Sequence, residues 1–174
     1  MNRRLGSLAL ILSPLVVLAA CGASPQQRTT GLLDQRLHAQ LARQVAAGRA
    51  AIDGVPDGVR VTVLDQSMFP NDAKSLDDQS PDIRADVIEG LLDPALMQVQ
   101  VADTSTLPLA QRDLRVHNVD QYFVANGLGS VLVPGDATPT GAGPAGLVIT
   151  IGVQCPPPSG RSGYSDGKSH PRCQ

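Results

Sequence analysis

The stretch DTSTLPLAQRDLRVHNVDQYF, Asp103 to Phe123, sets an acid ahead of two arginines, Arg112 and Arg115. A guanidinium presents a planar fork of N–H donors that matches a carboxylate, so either arginine has the chemistry to grip an anionic ligand. The same charges also suit the solvated rim of a packed helix, with Arg112 or Arg115 paired to Asp113 or Asp120, an arrangement that contributes little. Which reading holds depends on the element that carries the arginines and on where it places Asp103.

Other chemistry-bearing groups form weaker patterns. The C-terminal stretch CPPPSGRSGYSDGKSHPRC carries Cys155, Asp166, His170 and Cys173. His170 and Cys173 have ligand-like spacing, but Cys155 has no neighbouring cysteine, so the expectation is a Cys155–Cys173 disulfide and no metal. GAGPAG, Gly141 to Gly146, formally matches a dinucleotide fingerprint. It lacks the preceding strand and following helix that such a site needs, and no cofactor is expected. His38 and His117 fall on helical segments away from any acid or cysteine cluster. No GxSxG or ordered catalytic triad stands out, so the expectation is a protein without catalytic residues. The formal charge of -2 and the lack of any Lys/Arg run argue against nucleic acid as a partner.

The N-terminus runs from a basic start, Met1 to Arg4, through an apolar stretch, Leu5 to Leu18, into Leu-Ala-Ala-Cys ending at Cys21. Basic, apolar, then small is the order of an export signal, and the apolar run is short for a membrane span. A cysteine at that place looks like a bacterial lipobox, in which the thiol is acylated and becomes the new N-terminus. Two or three acyl chains anchor durably where one does not. Gly22, with no Asp in the second position, implies the outer membrane.

Asp103 and the arginines must be positioned by the surrounding elements. Residues 21–31 are a small, polar tether. From 32 to 54, Leu33, Leu37, Leu41 and Val45 recur at helical spacing, predicting an amphipathic helix that ends near DGVPDG. VRVTVL, Val59 to Leu64, is a β-branched strand. Ser80-Pro81-Asp82 opens a helix whose stripe is Ile83, Val87, Ile88 and Leu91, with Gly90 an unfavourable residue inside it. Met97, Val99 and Val101 alternate against Gln98 and Gln100 in a strand with one buried face. Val116, Val119 and Phe123 stripe the helix that carries the arginines, and Asn126-Gly127 suits its C-cap. SVLVPG predicts a short strand, and LVITIGV, Leu147 to Val153, the most hydrophobic one. Strands alternating with helices favour a two-layer α/β sheet.

From Val59 to Val153 the chain resembles an OmpA-like domain, the module of peptidoglycan-associated lipoproteins. The resemblance rests on the strand VRVTVL followed by Phe69 and Leu76, on the strand ending VQVADTS, and on the helix in which Val119, Tyr122, Phe123 and Gly127 fit the family pattern. LVITIGV stands for the closing strand. The family's Gly-His ahead of the Asp and the Leu-Ser of the helix are absent here. The resemblance implies that Asp103 and Arg115 occupy the positions that bind the diaminopimelate of peptidoglycan, the Asp holding an ammonium and the Arg a carboxylate. Only Arg115, of the two arginines, falls at the family's position.

The expectation is therefore an α/β two-layer sandwich of OmpA-like type, β-α-β-α-β-β, with an extra N-terminal amphipathic helix. Its segments would be a signal peptide at 1–20, a tether at 21–31, the helix at 32–54, the domain at 55–154 and a disulfide-closed tail at 155–174. The function expected is a non-enzymatic outer-membrane lipoprotein that scaffolds the envelope through peptidoglycan. The alternative is an assembly subunit of a secretion, conjugation or pilus apparatus that binds protein partners only, with a cell-wall hydrolase as the weakest option.

Overall fold

The computed structural model describes residues 23–64, 83–134 and 144–155. Cys21, Cys173, Phe69, Leu76 and the Ser80-Pro81-Asp82 helix start lie outside the described residues.

The first helix, α1 (Pro25–Gln40), starts inside the stretch expected to be a tether. Ser24 accepts from the Gln27 backbone N–H while the Gln27 side chain accepts from the Ser24 backbone N–H, and Pro25 takes the first helical position. This reciprocal cap satisfies two amide donors that a helix otherwise leaves open, so the helix begins where the cap is. Thr29, Leu33 and Leu37 face inward.

Periodicity predicts that this helix runs to residue 54, and the structure ends it sooner. Leu41, with φ -90 and ψ 7, interrupts the register before the short α2 (Ala42–Ala46). The break rotates the next turn, so Gln44 is buried, reaching Asp86 Oδ2 at 3.4 Å, while Val45 is exposed. Gly48, at φ 68, then turns the chain into a strand, β1 (Ala50–Val55). β1 pairs antiparallel with β2 (Gly58–Val63), from Ala50 opposite Val63 to Val55 opposite Gly58. Pro56-Asp57 makes the turn, a role for which a Pro-Asp-Gly run is well suited.

Beyond residue 82 come α3 (Ile83–Gly90), a single 3-10 turn at Pro94–Leu96, β3 (Met97–Asp103), α4 (Leu109–Ala125) and β4 (Leu147–Val153). Among the described residues the order is thus helices, then β-β-α-β-α-β. The sheet runs β1-β2-β4-β3, each neighbouring pair antiparallel, so β4 inserts between the parallel strands β2 and β3. SVLVPG, expected as a strand, contributes one parallel bridge, Leu132 to Val99, on the outer side of β3. Its backbone bonds to β3 centre on Val99, which donates to Val131 O and accepts from Val133 N–H.

The fold is α/β, helices packed on one face of an antiparallel sheet. That face is built by alternation: Val59, Val61 and Val63 stand beside Ile151, Ile149 and Leu147, and these beside Val99, Val101 and Asp103. Every one of these side chains is buried. Leu33, Leu37, Val87, Val119 and Phe123 cover the face from the helix layer. Each such aliphatic or aromatic side chain, fully withdrawn from water, contributes about 1.5–3 kcal/mol before the cost of ordering.

Gly90 and Gly58 mark close approaches. A Cβ on Gly90 would stand 2.6 Å from Leu37 Cδ2, so the residue that weakens α3 locally is the one that lets α3 lie against α1. A Cβ on Gly58 would collide with the Ile151 carbonyl oxygen, where β2 meets β4. At the far end of α4 the expected cap is present: Asn126 is the C-cap and Gly127 adopts φ 82.

Candidate functional site

Asp103 ends β3 on the core face, since the alternation that buries Met97, Val99 and Val101 buries it too. Arg115 heads the inward stripe of α4, one helical step before Val119 and Phe123, and occupies the place that the sequence pattern assigns to Val116. Val116 is only half-buried. Strand and helix therefore bring one acid and one base together where the apolar core stops. Arg115 Nε lies 3.4 Å from Asp103 Oδ2, with the two side chains 4% and 0% exposed respectively.

This separation exceeds the ~2.7–2.9 Å of a short charge-assisted hydrogen bond, so the contact is chiefly a compensation of charge. Burial lowers the pKa of the Arg115 guanidinium, and the Asp103 carboxylate acts in the opposite sense by stabilising its charge. The other Asp103 oxygen, Oδ1, accepts from the Ser105 backbone N–H at 2.8 Å. That local turn fixes the carboxylate toward α4. Ser105 is itself buried, and its Oγ meets no hydrogen-bond partner among the described residues.

The surrounding loop is held by backbone. Thr104 N–H donates to Gly146 O at 2.8 Å, and Gly146 N–H donates to Thr104 Oγ1 at 3.1 Å. Gly146 has no room for a side chain, because a Cβ there would collide with Val63 O. The corner is thus assembled from the ends of β2 and β3, the start of β4 and the first turns of α4.

Arg112, which the sequence reading sets behind Arg115, joins the same corner. Its Nη1 donates to the Asp103 backbone oxygen at 3.4 Å, and the residue is half-buried. The signal was available in the helix spacing, since positions 112 and 115 are neighbours on one face. Among the described residues, both guanidinium groups thus approach Asp103, Arg115 at the carboxylate and Arg112 at the backbone oxygen. A solvated rim does not describe Arg115, whose ion pair with Asp103 is buried. Asp120, half-buried on α4, has its pKa raised by desolvation, with His117 opposing.

Of the expected disulfide, Cys155 is half-buried against the core just beyond β4; Cys173 lies outside the described residues.

No family model matches the chain, and no curated protein matches it. Among solved structures, the chain is similar to the cell wall anchor of the T6SS from Pseudomonas aeruginosa, at 17% identity and a TM-score of 0.51. The match covers 70% of this chain and 99% of that one. At this identity the likeness is one of fold, and it agrees with the two-layer α/β architecture expected from the sequence.

Proposed function

We propose that this chain is a non-enzymatic lipoprotein of the outer membrane, anchored through Cys21, whose periplasmic domain scaffolds the envelope by contacting peptidoglycan at the Asp103–Arg115 corner. The observation that carries this reading is the meeting of Asp103 and Arg115 in space, at the positions that the OmpA-like resemblance assigns to the diaminopimelate contact. The likeness in fold to a cell wall anchor supports it.

The chemistry is coherent. An acid and a base that neutralise one another keep the corner free of uncompensated buried charge. A ligand that is to separate them must replace both halves of the pair, which requires an ammonium for Asp103 and a carboxylate for Arg115. A diaminopimelate centre carries both on one carbon. Arg112, at the edge of the corner, supplies further attraction for the acidic peptide stem. A Cys155–Cys173 disulfide would staple the tail to the end of β4, adding about 3 kcal/mol through denatured-state entropy.

A second reading, a secretion-apparatus subunit that binds proteins only, is favoured by the burial of the pair, since side chains 0% and 4% exposed offer little to a ligand without movement of the corner. Retention on purified sacculi separates the two. The first reading expects wild-type protein to sediment with diaminopimelate-type sacculi, to be released by a soluble diaminopimelate muropeptide, and to ignore a lysine-type muropeptide. Absence of retention, or release by both muropeptides alike, selects the second reading.

A further inference from the structure

The two ends of the sheet differ in the elements they carry. One end holds the β1–β2 turn, the last residue of β4 and the first of β3, because Val55 pairs with Gly58, Gly58 with Gly152 and Met97 with Val153. The opposite end holds Ala50 beside Val63, Val63 beside Leu147 and Leu147 beside Asp103. The Asp103–Arg115 corner belongs to this second end.

The start of α1 is tied to the first end. Gln26 Nε2 donates to Asp57 Oδ1 in the β1–β2 turn at 2.8 Å and lies 3.3 Å from the Val153 oxygen at the end of β4. From there α1 runs toward the second end, where α2 leads into Ala50. The helix is locked from its first residue by the Ser24–Gln27 cap. Only Gly22 and Ala23 separate Ser24 from Cys21, so the chain reaches at most about 11 Å from cysteine to cap. β3, with 7 residues, spans about 20–23 Å from one end to the other.

We propose that the lipid surface is the partner of the first end: the domain is mounted directly on the membrane, with the β1–β2 turn and the Pro94–Leu96 turn against the headgroups and the Asp103–Arg115 corner directed away, about a strand's length off. This rests on the lipid anchor at Cys21 proposed above. The reason is geometric. A capped helix that starts within one short reach of the acyl chains, and is hydrogen-bonded to one end of the sheet, cannot present the other end to the bilayer without breaking those ties.

The test uses the full, acylated chain reconstituted in phosphatidylethanolamine–phosphatidylglycerol vesicles that carry a headgroup-attached nitroxide. A fluorophore is placed at the first end through Ala95→Cys, with Pro56→Cys as a second reporter that leaves the Gln26–Asp57 bond intact, and at the second end through Thr106→Cys. All three positions are exposed. The expected result is quenching at Ala95→Cys and Pro56→Cys and none at Thr106→Cys. A flexible insert between Ala23 and Ser24 should then abolish the quenching. Equal quenching at both ends, stronger quenching at Thr106→Cys, or quenching that survives the insert overturns the proposal. Flotation with the vesicles, measured first on wild type and Cys21→Ala, reports the anchor separately. Protein that does not float, or that floats without Cys21, removes the anchor reading and this proposal with it, whereas floating protein with the wrong quenching pattern removes this proposal alone.

Discussion

Replacing Arg115 with Met should be far more damaging than a surface substitution. The Asp103 side chain is 0% exposed, and its Oδ2 depends on the Arg115 charge 3.4 Å away. Removing one partner of a buried pair strands the other, at a cost of about 3–5 kcal/mol. Asp103→Asn should also cost stability, because it removes a carboxylate that compensates the buried guanidinium, although the amide would keep an oxygen for the Ser105 backbone N–H. The double variant Asp103→Asn/Arg115→Met leaves no buried charge, so it should be no less stable than either single variant, giving a coupling of about 3 kcal/mol or more. A domain of this size has a total stability of about 5–15 kcal/mol, so the single variants stay measurable. The chain has no tryptophan, which makes far-UV circular dichroism in urea the natural readout. Single variants within about 0.5 kcal/mol of wild type, or a double variant equal to the sum of the singles, would refute the claim that this pair is buried and coupled.

Further expectations rest on individual contacts. Gly58→Ala should lower the melting temperature sharply, because its Cβ meets the Ile151 carbonyl, whereas Gly54→Ala, with nothing within 4 Å, should leave the melt almost unchanged; similar melts for the two would contradict the β2–β4 register. Ser24→Ala should cost about 1 kcal/mol through the lost cap, read as a drop in the urea midpoint, and no change would place the helix start elsewhere. Asp120→Asn should stabilise the domain at neutral pH and not in acid. The folded pKa of Asp120 is raised by desolvation, so its favourable contribution is present below the ordinary carboxylate value and is lost as pH rises through the folded value. A stabilisation that persists unchanged in acid would exclude this cause.

Much of the domain was legible wherever side-chain periodicity reports burial directly. Leu33 and Leu37 marked α1, the Met97–Val101 alternation marked β3, and Asn126-Gly127 marked the end of α4. β1 was hidden because Ala50, Ala51, Asp53 and Gly54 have little strand preference of their own; it forms by pairing with β2. Val45 was misplaced because one residue, Leu41, leaves helical geometry and rotates the next turn. SVLVPG has strand composition, yet its pairing is limited to Val99. The insertion of β4 between β2 and β3 is a long-range choice that no local window contains.

The candidate corner was half legible. Asp103 and Arg115 were singled out by resemblance, while periodicity treated Val116 as the core residue. A buried arginine goes against composition rules and becomes reasonable only once a carboxylate is known to end the facing strand. Arg112 entered through a backbone carbonyl, an acceptor that side-chain patterns do not reveal.

The most direct measurement is an amide NMR titration of the 15N-labelled domain with a soluble diaminopimelate muropeptide. Binding at the corner predicts saturable shifts concentrated at Asp103 to Thr106, Arg112, Arg115 and Gly146, with the β1–β2 turn unmoved. Spectra that stay unchanged at saturating muropeptide, or shifts centred on the turn end, would contradict it.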